Sequence, residues 1–213
     1  AYSHCFLVPF ITAYLIWKNR GDIATLPSVT SWKGLILLGF GAVLFWLGEL
    51  GAEYYTLYIS LWLTTVGLCW MHLGSSKLKL ISFPLAFSLT MFPLPYFLNT
   101  TIALRLRIIS SKLATFMIQS LCLPVYRQGN IIDLGFIKLQ MLEACSGLNY
   151  LISLLVLCLL LSYQLQARLW KKVYLVLSAI PLAIFANSIR ITLTALLSYL
   201  FGTDVAEKFY DSF

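Results

Sequence analysis

Long apolar runs broken by short polar turns divide this chain, and a bilayer-crossing helix needs about 20 mostly apolar residues. The first run, Cys5 to Trp17, is shorter than that and ends in Lys18-Asn19-Arg20. A polar turn with Pro27 and Lys33 follows, then a second run from about Gly34 to Leu50, with Glu49 and Glu53 at its far side. The third covers about Thr56 to Met71 and leads to Lys77 and Lys79. A fourth goes from Leu80 to about Phe92, where Pro93-Leu94-Pro95-Tyr96 favours extended backbone and ends it. A fifth starts near Cys145 and ends near Tyr163, and a sixth covers about Val173 to Phe201. The pattern predicts an all-α polytopic membrane protein with about six transmembrane helices.

Two segments depart from that rhythm. Asn99 to Leu121 is apolar but has Arg105, Arg107 and Lys112 embedded in it, which predicts an interfacial or re-entrant amphipathic helix. From Leu123 to Leu142 the alternation becomes strand-like around Gly129-Asn130, with Ile131-Ile132-Asp133 and Phe136-Ile137-Lys138-Leu139. A short β-hairpin on the outer membrane face is expected there. Residues 1–213 read as one transmembrane domain cut at both ends, starting at Ala1 inside an apolar stretch and stopping at Phe213 after a polar turn.

Composition agrees with the pattern. The chain is 60% hydrophobic and 11% charged, against about 25% charged residues in an average globular protein. A net charge of +7 does not point to nucleic acid, because most basic residues sit in short loops beside apolar runs, where they set orientation. Lys18, Arg20, Lys33, Lys77, Lys79, Arg168, Lys171 and Lys172 fall on one side of the alternation with a single acid, Asp22. Arg105, Arg107, Lys112, Arg127, Lys138 and Lys208 fall on the other, with seven acids. The first side is read as cytoplasmic, so Cys145 is expected at the outer face.

Two residues stand out for chemistry. Cys145 opens the fifth run, and Arg190 lies inside the sixth, where a charge costs about 2.5–3.5 kcal/mol and usually faces a partner, a cavity or a substrate. Arg190 is 17 residues past the expected start of its span at Val173, a rise of about 26 Å, which brings it to the depth expected for Cys145. A thiol at a helix start is favoured as the thiolate by the positive dipole end. A guanidinium at the same depth can bind a developing oxyanion. Asn187 shares the helix face of Arg190 and offers a hydrogen bond to a carbonyl, while Gly147 permits close backbone approach beside the thiol. These parts suit acyl transfer through a thioester. The alternative is a packing or capping cysteine beside a snorkelling arginine.

The other candidates carry less. Cys5, Cys69 and Cys158 lie in apolar runs and read as small buried hydrophobes. With five cysteines, no CxxC pair and only His4 and His72, no metal site and no cofactor are expected. Glu143, which would raise the thiol pKa, reads as a structural partner for an arginine. Arg105, Arg107 and Arg127 suit lipid headgroups or the acidic part of a substrate.

The run Leu123-Pro124-Val125-Tyr126-Arg127-Gln128-Gly129-Asn130-Ile131-Ile132, then Glu143-Ala144-Cys145-Ser146-Gly147-Leu148 and Ala186-Asn187-Ser188-Ile189-Arg190, resembles the exosortase/archaeosortase family. Tyr2-Ser3-His4, Leu7-Val8-Pro9 and Pro93-Leu94-Pro95-Tyr96 resemble its earlier segments. The resemblance implies a cysteine protease/transpeptidase of the bacterial-type cytoplasmic (inner) membrane, with its site facing the extracytoplasmic side. Its partners would be exported proteins bearing a C-terminal sorting signal (a Pro-Glu-Pro type motif, a transmembrane helix and a basic tail), membrane lipids, and a glycan or lipid acceptor at the cell surface. Carried over by motif, Cys145 is the nucleophile and Arg190 the arginine that stabilises the transition state or substrate.

The family's third residue is a histidine, or arginine in archaeal relatives, and Asp211 occupies its place here, in Ala206-Glu207-Lys208-Phe209-Tyr210-Asp211. A carboxylate with a reference pKa of about 3.9 is ionised at neutral pH and cannot stabilise a thiolate by charge. A divergent active enzyme, a loss of activity, or a third residue past Phe213 would each account for it, and His4 is a further candidate. The competing reading is a non-enzymatic membrane component of polysaccharide export or assembly, in which Arg190 binds a glycan or lipid phosphate. A transporter is the third, but apart from Arg190 no span carries the paired charges that ion coupling needs.

Overall fold

A computed structural model describes residues 3–121, 123–129, 131–135, 138–140 and 147–202. Cys145, Glu143 and Asp211 lie outside the described residues, as do the side chain of His4 and the tail from Asp204 to Asp211. The chain divides into two compact units, Ala1–Pro95 and Tyr96–Phe213.

The first unit is built on a helical hairpin, α3 (Lys33–Leu50) and α4 (Tyr54–Leu80), preceded by α1 (Ser3–Lys18) and α2 (Arg20–Thr25) and followed by α5 (Ser82–Ser88). Its side chains are distributed inside out. The buried residues of α3 are Gly34, Gly41 and Gly48, while Ile36, Trp46 and Leu50 are 77%, 65% and 81% exposed. Water would not tolerate so much apolar surface, whereas a bilayer favours it. Glycines seven apart present one bare stripe, and α4 answers with Ser60, Gly67 and Gly74, also seven apart and buried. Small residues let two helix backbones approach closely, which is how helices associate where lipid is as apolar as leucine.

Three residues past the expected end at Met71, the first helical piece of α4 ends at a break at Gly74, where a φ of 77° and a ψ of 173° lie outside the helical region. A Cβ there would collide with the carbonyl oxygen of Val29, so the glycine is required twice, for its left-handed φ and for the close approach. The expected fourth span, Leu80 to Phe92, is divided among the last residue of α4, α5 and a 3-10 turn over Leu89–Met91. Trp62 Nε1 donates to the Leu85 carbonyl at 2.8 Å and to Ser88 Oγ at 3.0 Å, fastening α5 to α4. Val8 and Leu15, seven apart and fully buried, are the inner face of α1, which packs on α5 and the 3-10 turn.

The second unit joins three helices to a small sheet: α6 (Tyr96–Ser120), α7 (Leu148–Gln164), α8 (Leu169–Phe201), and strands β1 (Tyr126–Gln128), β2 (Ile131–Asp133) and β3 (Lys138–Gln140). α6 corresponds to the expected Asn99–Leu121 helix, but its buried serines and exposed Leu104 and Phe116 leave its two faces less distinct than the pattern predicts. It buries Ala103, Leu106, Ser110, Ser111, Ala114, Thr115 and Ile118, a single helical stripe, and leaves Arg105 and Lys112 exposed. The expected hairpin is present and gains a strand, making an antiparallel sheet in the order β1-β2-β3 with Arg127, Ile132 and Leu139 in register. β1 adds an edge strand, Tyr126–Gln128, to the pair expected from the sequence. Ile132 and Leu134 bury themselves with Ala114, Ile118, Ile191 and Ala195, so the sheet closes over α6 and α8.

Of the six expected spans, Lys33–Leu50, Tyr54–Leu80 and Leu169–Phe201 are long and apolar enough to cross a membrane. Cys5–Lys18, Ser82–Met91 and Tyr150–Gln164 are shorter apolar helices.

Candidate active site

The second unit brings three of the residues singled out in the sequence, Gly147, Asn187 and Arg190, to one place. α8 buries a stripe of mostly small residues, Ala179, Ala183, Asn187, Ser188, Ile191, Thr194, Ala195 and Ser198, and this lets α6 and α7 pack against it. Ser188 Oγ donates to the Ile184 carbonyl at 2.7 Å and also reaches the Ser110 carbonyl of α6 at 3.2 Å. That bond fixes the register of α8 where Asn187 and Arg190 are carried.

α7 starts at Gly147, which caps the helix in the left-handed region with φ 71° and ψ 1°. A Cβ on Gly147 would sit 2.9 Å from Asn187 Cγ, 3.0 Å from its Cβ and 3.1 Å from Nδ2. The close approach that Gly147 permits is therefore to the Asn187 side chain, which is 1% exposed. One turn into α7, the ring of Tyr150 takes the Arg190 guanidinium, with Cζ 5.7 Å from the ring centroid. A cation over an aromatic face gains about 0.5–2 kcal/mol, more as the pair is desolvated. Tyr150 lies two residues past the Glu143–Leu148 motif. Its pairing depends on how α7 and α8 are set against each other, which no single-helix spacing reveals.

Cys145 is two residues before Gly147 in sequence and lies outside the described residues, as does Asp211. Arg127 is held elsewhere in the same unit. Its Nη1 donates to the Gly129 carbonyl at 2.5 Å and to Ser111 Oγ at 3.4 Å. These bonds tie the β1–β2 turn to α6, a structural job at the sheet.

The transmembrane exosortase family model matches residues 1–213. The chain belongs to the transmembrane exosortase family. No curated protein and no solved structure matches it. This exosortase-family chain is accordingly a membrane protein, in keeping with its exposed apolar helices.

Substituting Gly147 tests the junction. Gly147→Ala puts a Cβ against Asn187 and holds an L-residue in the left-handed region, at a cost of roughly 1–2 kcal/mol. Thermal unfolding in detergent should show that loss, and wild-type stability in Gly147→Ala would mean that the α7 start and Asn187 do not pack this closely.

Proposed function

We propose that this protein is a membrane-embedded cysteine protease/transpeptidase that cleaves Pro-Glu-Pro type C-terminal sorting signals from exported proteins. The observation that carries the reading is the meeting of the α7 start with Asn187 and Arg190, beside the sequence motif containing Cys145. The family is generally one of cysteine transpeptidases.

In this mechanism the Cys145 thiolate attacks the scissile carbonyl of the sorting signal. The helix start and the Arg190 charge favour the thiolate. As the carbonyl carbon becomes tetrahedral its oxygen gains negative charge, which Arg190 and the Asn187 amide stabilise. Collapse breaks the C–N bond, the leaving amine takes a proton, and the substrate is left as a thioester on Cys145. An acceptor hydroxyl or amine, or water, then attacks the thioester and returns the thiol. Asp211 stands at the family's histidine position and acts as the proton acceptor only if its surroundings raise its pKa above the usual carboxylate range. Charge alternation supports an outer-face site in a bacterial-type inner membrane.

A thiol-reactive, membrane-impermeant probe on intact cells tests the reading. Cys145 should label rapidly, with a rate that rises with pH through a midpoint below the usual value of about 8.5. Cys145 inert to the probe would support the non-enzymatic polysaccharide-export reading instead.

A further inference from the structure

The first unit carries an open groove of about 570 Å³ beside the end of α1, α2 and the part of α4 beyond the Gly74 break. Ala13, Ile16 and Ile23 contribute apolar wall, and Trp17, Arg20 and Lys77 line the rest. Lys77 is only 9% exposed. Its Nζ donates to Ser28 Oγ at 2.7 Å, and among the described residues that is its one polar partner. An ammonium has three donors, and burying a charge without a counter-charge is costly. Arg20, which is exposed, lays its guanidinium 4.9 Å over the Trp17 ring. Among the described residues, neither cation pairs with a carboxylate, although Asp22 is two residues from Arg20.

Two cations among the lining of an otherwise apolar groove match a molecule with a phosphate head and a hydrocarbon tail. We propose that this groove binds an anionic phospholipid, its phosphate between Lys77 and Arg20 and its acyl chain along Ala13, Ile16 and Ile23. The uncompensated charge of Lys77 is then met by the ligand. A zwitterionic lipid is disfavoured, because its own cation would face the same two positive groups. The site belongs to the first unit and is independent of the proposed peptidase chemistry.

The test is native mass spectrometry of the purified full chain in detergent, where no charged membrane surface contributes, with added dioleoylphosphatidylglycerol or dioleoylphosphatidylcholine. Wild type should retain phosphatidylglycerol preferentially. Lys77→Gln and Arg20→Gln should each weaken retention about fivefold, and the double variant roughly 25-fold. Lys77→Arg should restore it. Lys79→Gln removes the same charge from an exposed position outside the groove and should change little. If Lys77→Gln does not fold, the exposed Arg20→Gln carries the test. Equal retention of the two lipids, an equal loss in Lys79→Gln, or displacement of the lipid by millimolar inorganic phosphate would each overturn the proposal.

Discussion

Cys145→Ala is expected to abolish processing of a sorting-signal substrate, and Arg190→Ala to lower it about 10²- to 10³-fold, the usual loss when one oxyanion-stabilising group is removed. The informative part is what should not change. A charge inside a span is costly to insert, so Arg190→Ala should insert at least as well as wild type while losing activity. A structural arginine would behave the opposite way, with stability falling and any surviving folded protein fully active. Arg190→Lys keeps the charge but loses the planar fork, so it should fall between the two. The readouts are cleavage of a tagged substrate in cells, followed by gel shift, and thermal unfolding in detergent. Unchanged processing in Cys145→Ala would remove the thioester mechanism altogether.

Hydropathy located the helices more easily than their ends. α3 differs from its expected span by one residue, Lys33. The first piece of α4 ends at the Gly74 break, three residues past Met71, and a second helical piece carries on to Leu80. At the candidate site, the shared face of Asn187 and Arg190 follows from their spacing of three within one helix. The Tyr150–Arg190 stack and the packing of Gly147 on Asn187 do not, since both depend on the register between α7 and α8. That register rests on small residues such as Ala179, Ala183 and Ser188, whose hydropathy carries little signal. Arg127, singled out by its charge, bonds to Gly129 and Ser111 at the sheet, contacts that its spacing does not reveal either.

Gly34→Leu is expected to destabilise the first unit by about 3 kcal/mol or more, above the usual 1–3 kcal/mol range for overpacking because the obstruction is backbone. A Cβ at Gly34 would sit 2.6 Å from the Gly67 carbonyl oxygen, 2.6 Å from Met71 N and 2.9 Å from Met71 Cα. No rotamer change relieves such a clash, so α3 and α4 must separate. Gly39 provides the control on the same helix, since a Cβ there meets nothing within 4 Å. Gly39→Leu adds apolar surface toward lipid and should shift stability by no more than about 0.5 kcal/mol. Thermal unfolding in detergent, with limited proteolysis at the 51–53 turn, would measure both. Equal effects of the two variants would mean that the heptad glycines are not a packing seam. In water, a separated hairpin would be drawn back by the apolar surface it exposes. In a bilayer, lipid covers that surface equally well, so close packing along Gly34, Gly41 and Gly48 is what holds the pair together.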